Sequence, residues 1–292
     1  KPKTPLEIVI NSVQIITNND DTYYKTQQLI TIHDNSIDTI YAIFSDCTIK
    51  LGGSHIFGDT SNDTDLVVYG KQDRQTFLET KTKLLETCGE FVNVKLVSNE
   101  YMQYIKAETN SKYYDIHYCN TTDKSDIKSI NAISVHTASE TILEMMKNDT
   151  NFVTNLMTVK KFCKDNGIYG QQYGYLSGLA VAMLVAVFSM NNNIVQEQFL
   201  EKFLNYWANY DYTKQICYAN APKLDIKDAH NKLMKIVCPV KPYNNITRNM
   251  VRSTFDVIIS IFKQTKQVNN KTYLTIKSDT KNTINSYILW FN

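Results

Sequence analysis

Three aspartates occupy positions that suit a shared cation. Residues 50–69 read KLGGSHIFGDTSNDTDLVVY, with Asp63 and Asp65 alternating at the head of an apolar run. Side chains on a strand alternate faces with a period of two, so both carboxylates point one way and Leu66 and Val68 the other. Two like charges on one face repel unless a cation sits between them, and magnesium suits such oxygen ligands. A third acid, Asp115, lies in KYYDIHYC among aromatic and β-branched residues, where an unpaired carboxylate is expensive to bury. Three carboxylates from neighbouring strands suit two metal ions roughly 3.5–4 Å apart, the arrangement used for in-line displacement at phosphorus.

Glycine is placed economically. Of only 9 glycines, Gly52, Gly53 and Gly58 fall in this stretch, and Gly167, Gly170, Gly174 and Gly178 fall in one later segment. Amides at Gly52 and Gly53, with the Ser54 hydroxyl, are suited to phosphate oxygens at the start of a short helix. No GK[ST] follows, so the loop is not a P-loop. Asp59 reads as turn chemistry. His55 and His117 read as hydrogen-bonding neighbours of the acids rather than as metal ligands, because carboxylates already satisfy a hard cation.

The elements that must position these residues alternate at first between strand and helix. Cys47–Gly52, Asp65–Tyr69, Val92–Val97, Tyr101–Ala107 and Lys112–Tyr118 are predicted strands, and Gln72–Cys88 a helix stopped by Gly89. From about residue 135 apolar residues recur at three and four, predicting helices over Ser139–Lys147, Phe152–Asp165, Tyr173–Met190, Gln196–Trp207 and Thr247–Lys266. The expected class is α+β: a mixed sheet with packed helices over residues 20–135, then a helical domain over 136–266, joined by residues 1–19 in one version. The last residues, 267–292, return to strand-like alternation around Tyr273–Ile276 and read as the opening of a domain the chain does not finish. A cleft between the first two domains is the expected ligand site.

Composition removes some classes. The net charge of +2 gives no global field for nucleic acid, although a local basic face remains compatible with it. Six cysteines lack any CxxC spacing, so they read as reduced, mostly buried thiols of a cytosolic or nuclear protein. The most apolar run, Tyr175–Met190, is shorter than the roughly 20 residues of a membrane span and reads as a core helix. The chain opens at Lys1 without a methionine, as a processed or shortened chain would.

LGGS, a spacer, DTD and a later strand aspartate resemble the DNA polymerase β-like nucleotidyltransferases. Val159–Lys160 with GIYGQQYGYLSGLAVAMLVA (Gly167–Ala186), and KIVCPVKPYNNITRNMVRST (Lys235–Thr254), narrow the resemblance to poly(A) polymerases, over about residues 48–265. It implies template-independent addition of AMP from ATP to RNA 3′ ends with two magnesium or manganese ions. Asp63, Asp65 and Asp115 would be the catalytic metal ligands. Gly53, Ser54, Lys106, Lys160, Tyr169, Gln171, Gly178 and Leu179 would line the nucleotide site, with Lys160 and Tyr169 reaching phosphates and sugar. Arg248 and Arg252, read as one turn apart on a helix, are weaker candidates for RNA phosphates.

Departures from the family pattern bear on base choice more than on chemistry. Gln171 stands where an asparagine is expected, Ser177 replaces the first glycine of a pair, and Phe162–Cys163 replace Trp-Ala. They suggest a divergent, viral member, acting in the host cytoplasm or virion if so and in cytoplasm or nucleus otherwise. The partial RRM-like C-terminus implies an incomplete chain, or RNA binding as a homodimer or with a partner subunit. Rival readings are a terminal uridylyltransferase, an oligoadenylate-type synthase, and a non-enzymatic RNA-binding subunit. No membrane association is expected.

Overall fold

The structure is a computed structural model that describes residues 13–18, 21–26, 35–59, 62–123, 125–192, 196–218 and 233–264. The expected remnant at 267–292 and its strand around Tyr273–Ile276 lie outside the described residues.

Strands β1 (Val13–Asn18) and β2 (Asp21–Thr26) form an antiparallel pair. A five-stranded mixed sheet follows, built from β3 (Thr48–Leu51), β4 (Asp63–Gly70), β5 (Asn93–Ser98), β6 (Gln103–Glu108) and β7 (Tyr113–Asn120). Its order is β3-β4-β7-β6-β5. The pair β4–β7 is parallel and the others are antiparallel. Parallel neighbours need a crossover. Here α2 (Arg74–Thr87) and the β5–β6 hairpin make it. Every predicted strand of this sheet lies within two residues of the observed one.

The two sheet faces have different tasks, as strand alternation requires. Leu66, Val68, Ile105, Ala107, Tyr114, Ile116 and Tyr118 form a buried layer against Ile40 and Phe44 of α1 (Ser36–Ile43, with Phe44 as its cap) and Phe77, Leu78 and Leu85 of α2. The opposite face carries the acids. Helix α2 begins where Asp73 accepts the Thr76 N–H at 2.9 Å, and it ends before Gly89, whose φ of 78° is left-handed as the predicted stop requires.

Helix α3 (Ile127–Met145) starts twelve residues before the predicted helix at Ser139. Its buried face includes Ser129, Asn131, His136 and Ser139, so polar residues on the inside conceal its apolar period. Its first half packs Ala132 on Val67 and Cys119 of the sheet, while Ala138 and Ile142 join the helical core. That core is formed by α4 (Phe152–Asp165), α5 (Gly178–Asn191), α6 (Phe199–Ala208) and α7 (Arg252–Gln264). The α4 prediction agrees at both ends.

The other helical predictions began too early. Gly174 adopts a left-handed φ of 78°, and α5 starts only after Ser177, whose Oγ accepts the Ala180 N–H at 3.1 Å. Residues 196–198 are a 3-10 turn before α6. Residues 247–250 form turns, because Asn245 Oδ1 accepts the N–H groups of Ile236 and Thr247, each at 3.1 Å, and fixes a non-helical path. Residues Ala180–Phe188 of α5 are buried, confirming a core helix, and no helix among the described residues is long and apolar enough to cross a membrane. All six cysteines are free; Cys119, Cys163 and Cys238 are buried and Cys88 is exposed.

One ion pair fastens α2 to α3. Arg74 donates from Nε (3.1 Å) and Nη2 (2.5 Å) to Asp126 Oδ2, and from Nη1 to the Tyr118 carbonyl at 2.5 Å. Asp126 also caps α3 by accepting the Lys128 and Ser129 N–H groups. Burial works to raise the Asp126 carboxyl, but Ser129, Arg74 and the Lys128 amide outweigh it and hold it below the usual carboxylate range. A depressed carboxyl contributes stability above its unfolded pKa and loses it as pH falls through the folded one. Arg74→Ala leaves Asp126 partly buried without its cation and should cost about 3 kcal/mol. Urea unfolding at pH 7 checks this, and the deficit should shrink in acid as Asp126 protonates.

Candidate active site

Parallel pairing of β4 with β7 puts Asp65 directly beside Asp115, with Asp63 beside Tyr113 two positions along the same face. Across the other side of β7, Asp115 pairs with Lys106 of β6. The sheet therefore carries a row of Asp65, Asp115 and Lys106 on three adjacent strands. The Asp115 carboxyl is raised above its ordinary range, first by burial and then by the charge of Asp65, with His117 and Lys106 opposing and Asp63 adding slightly. Its Oδ1 is buried with no hydrogen-bond partner among the described residues. His117 stacks on Tyr104 with ring centroids 4.9 Å apart, and its Nε2 lies 3.8 Å from Asp65 Oδ1. Its neighbour in the expected pair, His55, faces Thr64 Oγ1 at 3.4 Å.

The glycine loop leans on the same carboxylate. The Gly52 N–H donates to the Asp65 carbonyl at 2.8 Å. Gly53 has a φ of 58°, and a Cβ there would lie 1.9 Å from Asp65 Oδ2. Only glycine satisfies both conditions. A 3-10 helix, Gly53–Phe57, carries Ser54 forward, and Phe57 at its end enters the helical core against Phe152, centroids 6.1 Å apart. The loop is thus fixed at one end to the sheet and at the other to α4.

A cleft of 1010 Å³ lies between sheet and helices. Gly53, Ser54, Asp63, Asp65, Lys160, Tyr169, Gln171, Gly178, Leu179 and Arg248 all line it. Asp115 and Lys106 do not; they stand behind the acids on the sheet. The expected convergence of three carboxylates is met in placement but not in closure. Among the described residues no three acidic, histidine or cysteine side chains form a ready cation cage.

The helical wall is built around Tyr169. Lys160 and Lys164, one turn apart on α4, lie over its ring at 5.9 and 5.3 Å. Burial first and Asp59 next push its hydroxyl up to about 12, so it stays a neutral donor. A Cβ on Gly178 would lie 2.9 Å from that hydroxyl, which accounts for the glycine at the start of α5. Gln171 donates from Nε2 to the Ile246 carbonyl at 3.2 Å, tying the far end of the cleft to the 245–249 turns.

Two sequence readings need correction. Asp59 is not merely a turn residue: its carboxylate accepts from Lys160 Nζ across the cleft, with both side chains largely buried. Arg248 and Arg252 do not share a helix, because α7 begins at Arg252. Arg252 pairs with Asp256 at 3.0 Å on an exposed face, while Arg248 alone of the two lines the cleft. Lys164, Asn245 and Asn249 also line the cleft and were not singled out. Lys164 had a legible signal, four residues after Lys160; the two asparagines did not stand out in a chain rich in that residue.

Comparison with known proteins now has geometry to rest on. Residues 151–283 match the family model of the poly(A) polymerase central domain. Poly(A) polymerases are also what the chain resembles over a longer stretch. It is 24% identical over 251 residues to poly(A) polymerase PAPa of Candida albicans, covering 76% of this chain and 44% of that protein. It is 25% identical over 152 residues to nuclear poly(A) polymerase 4 of Arabidopsis thaliana, covering 48% of this chain and 20% of that protein. The chain thus spans less than half the length of these relatives, and their fungal and plant sources lend the viral expectation no support.

Solved structures share the fold of this chain. The Cid1 poly(U) polymerase bound to magnesium and 3′-dATP superposes with a TM-score of 0.64 at 14% identity, covering 82% of this chain and 88% of that one. The polymerase core of TRAMP gives 0.60 at 18% identity over 84% and 82% of the two chains. A mutant of mtPAP with ATPγS gives 0.60 at 14% over 85% and 64%.

The raised Asp115 carboxyl predicts a stability effect with a definite sign. A carboxyl raised on folding means the native state binds more protons, so its ionisation destabilises the fold progressively above the unfolded pKa. Asp115→Asn should therefore raise Tm in EDTA at pH 7.5 by roughly 2–4 °C, the shift that about 1 kcal/mol gives in a protein of this size. The gain should fade towards pH 4. Thermal melts of both proteins across that range are the check.

Proposed function

We propose that the chain transfers AMP from ATP to the 3′ end of RNA without a template. The observation that carries this reading is that Asp65, paired on the sheet with Asp115, lines a cleft whose other wall presents Lys160, Lys164 and Tyr169. Acids on one wall and cations on the other suit a substrate that brings both metal and phosphate. The family match and the nucleotide-bound structural relatives support it.

The acids fit a divalent cation in chemistry: carboxylate oxygens are hard donors, and the buried, unpartnered Oδ1 of Asp115 calls for a positive neighbour. Asp63, Asp65 and Asp115 would hold magnesium or manganese, which supplies charge neutralisation at the α-phosphate and activation of the attacking hydroxyl. The remaining roles belong to the chain. Ser54 and the loop amide at Gly53 meet the triphosphate from the sheet side. Lys160 and Lys164 meet it from α4 as point charges. The Tyr169 hydroxyl donates to sugar or phosphate. Leu179 and Gln171 border the base. Lys106 pairs with Asp115 across the sheet and opposes the upward shift of that carboxyl, a role that needs no contact with the nucleotide. Arg248 is the better placed of the two arginines for an RNA phosphate.

Primer extension tests the proposal. Purified protein given a short RNA and magnesium should extend it with ATP in preference to UTP, GTP or CTP. Asp63→Ala with Asp65→Ala should lower the rate by roughly 10³-fold, since metal charge stabilisation is worth several kcal/mol and each 1.36 kcal/mol is tenfold. Extension by the double variant at near wild-type rate would refute the site. Preference for UTP would replace adenylyl with uridylyl transfer on the same residues.

A further inference from the structure

Asp59 and Lys160 make a contact across the cleft. It joins residues 101 positions apart, one on each wall of the cleft. Asp59 follows Gly58, the left-handed cap of the 3-10 helix that carries Ser54. Lys160 projects from the middle of α4 and lines the cleft with Ser54, Asp63 and Asp65. Their side chains are 16% and 8% exposed, so the pair is shielded from screening by salt.

The lysine is therefore already neutralised. A triphosphate entering beside Ser54 brings about four negative charges to a spot where Asp59 holds the nearest buried cation. Lys160 cannot serve both anions fully, and Asp59 and the triphosphate repel each other. Lys164, by contrast, is exposed, with its ammonium over the Tyr169 ring. The two lysines that face Tyr169 thus differ: one is held by an acid of the opposite wall, and the other makes no ion pair with any of the described residues.

We propose that Asp59 is an exchange partner for Lys160, holding its ammonium in the cleft and yielding it to the triphosphate of the nucleotide. The proposal rests on the nucleotide reading of the site. The exchange has two consequences. It keeps a long flexible side chain in place between turnovers, and it sets the affinity for polyphosphate below what the lysines alone would give. As pyrophosphate leaves, Asp59 recaptures the lysine, which favours release. Apparent affinity scales with the fraction of molecules in which the binding group is available.

The test is calorimetric titration with inorganic tripolyphosphate and magnesium, which needs no RNA and no turnover. Lys160→Ala should weaken binding. Asp59→Asn, which keeps the shape but removes the charge, should tighten it by about 3- to 10-fold over wild type. Asp59→Asn should tighten binding far less when added to Lys160→Ala than when added to the wild type, because most of the effect of Asp59 runs through the lysine and only direct repulsion remains; an equal gain in both backgrounds would overturn the exchange. Asp59→Ser gives the same expectation should the asparagine variant prove unfolded by its thermal melt. Pyrophosphate should also be retained more tightly by Asp59→Asn, with KM for ATP and kcat falling together. Unchanged or weaker tripolyphosphate binding by a folded Asp59 variant would overturn the exchange and leave the nucleotide reading intact. A wild-type protein that binds neither ATP nor tripolyphosphate would overturn both.

Discussion

The site depends on an unfavourable proximity, two carboxylates held side by side by the parallel register of β4 and β7. Backbone hydrogen bonding fixes that register, and a slip of one residue would turn Asp65 into the core and Leu66 out of it. The apolar residues that follow the acids, Leu66 and Val68 on one strand and Ile116 and Tyr118 on the other, are fully buried on the far face. Hydrophobic burial on one side of the sheet therefore holds charge repulsion in place on the other. Asp115 bears most of the cost, being the more deeply placed, and its raised carboxyl records it.

Around that pair, the rest of the structure serves to bring cations and donors to the right distance. Gly53 exists because Asp65 leaves no space for a side chain. Phe57 anchors the loop in the helical core. Tyr169 shapes the α5 entrance through Gly178 and supports two lysines on its ring. Even the departure at residue 177 has a local reason, since the serine caps α5 where a glycine would offer no side-chain acceptor.

Strands were legible in the sequence because β-branched and aromatic residues alternate cleanly there, and the acids broke that alternation conspicuously. Helix α4 was legible at both ends because its apolar residues, Phe152, Leu156, Val159 and Cys163, recur at three and four. Helix α3 was not, because Ser129, Asn131, His136 and Ser139 face inward and make satisfied contacts such as Asn131 Nδ2 to the Tyr101 carbonyl at 2.8 Å. The start of α7 was hidden by a single side chain, Asn245, whose bonds redirect the backbone. Asp59 was misjudged because its partner is remote in sequence. Local chemistry offers turn propensity for an aspartate after a glycine, and nothing local reveals a lysine on another wall.

Helix α3 lends its first half to the sheet and its second to the helical core, through Ala132 on one side and Ala138 and Ile142 on the other. A continuous rod shared by both walls makes the width of the gap a property of one segment's straightness. Bending that rod, with every substrate-facing residue untouched, would alter the fit of whatever lies in the gap, as a warped hinge-pin spoils a door whose latch is sound.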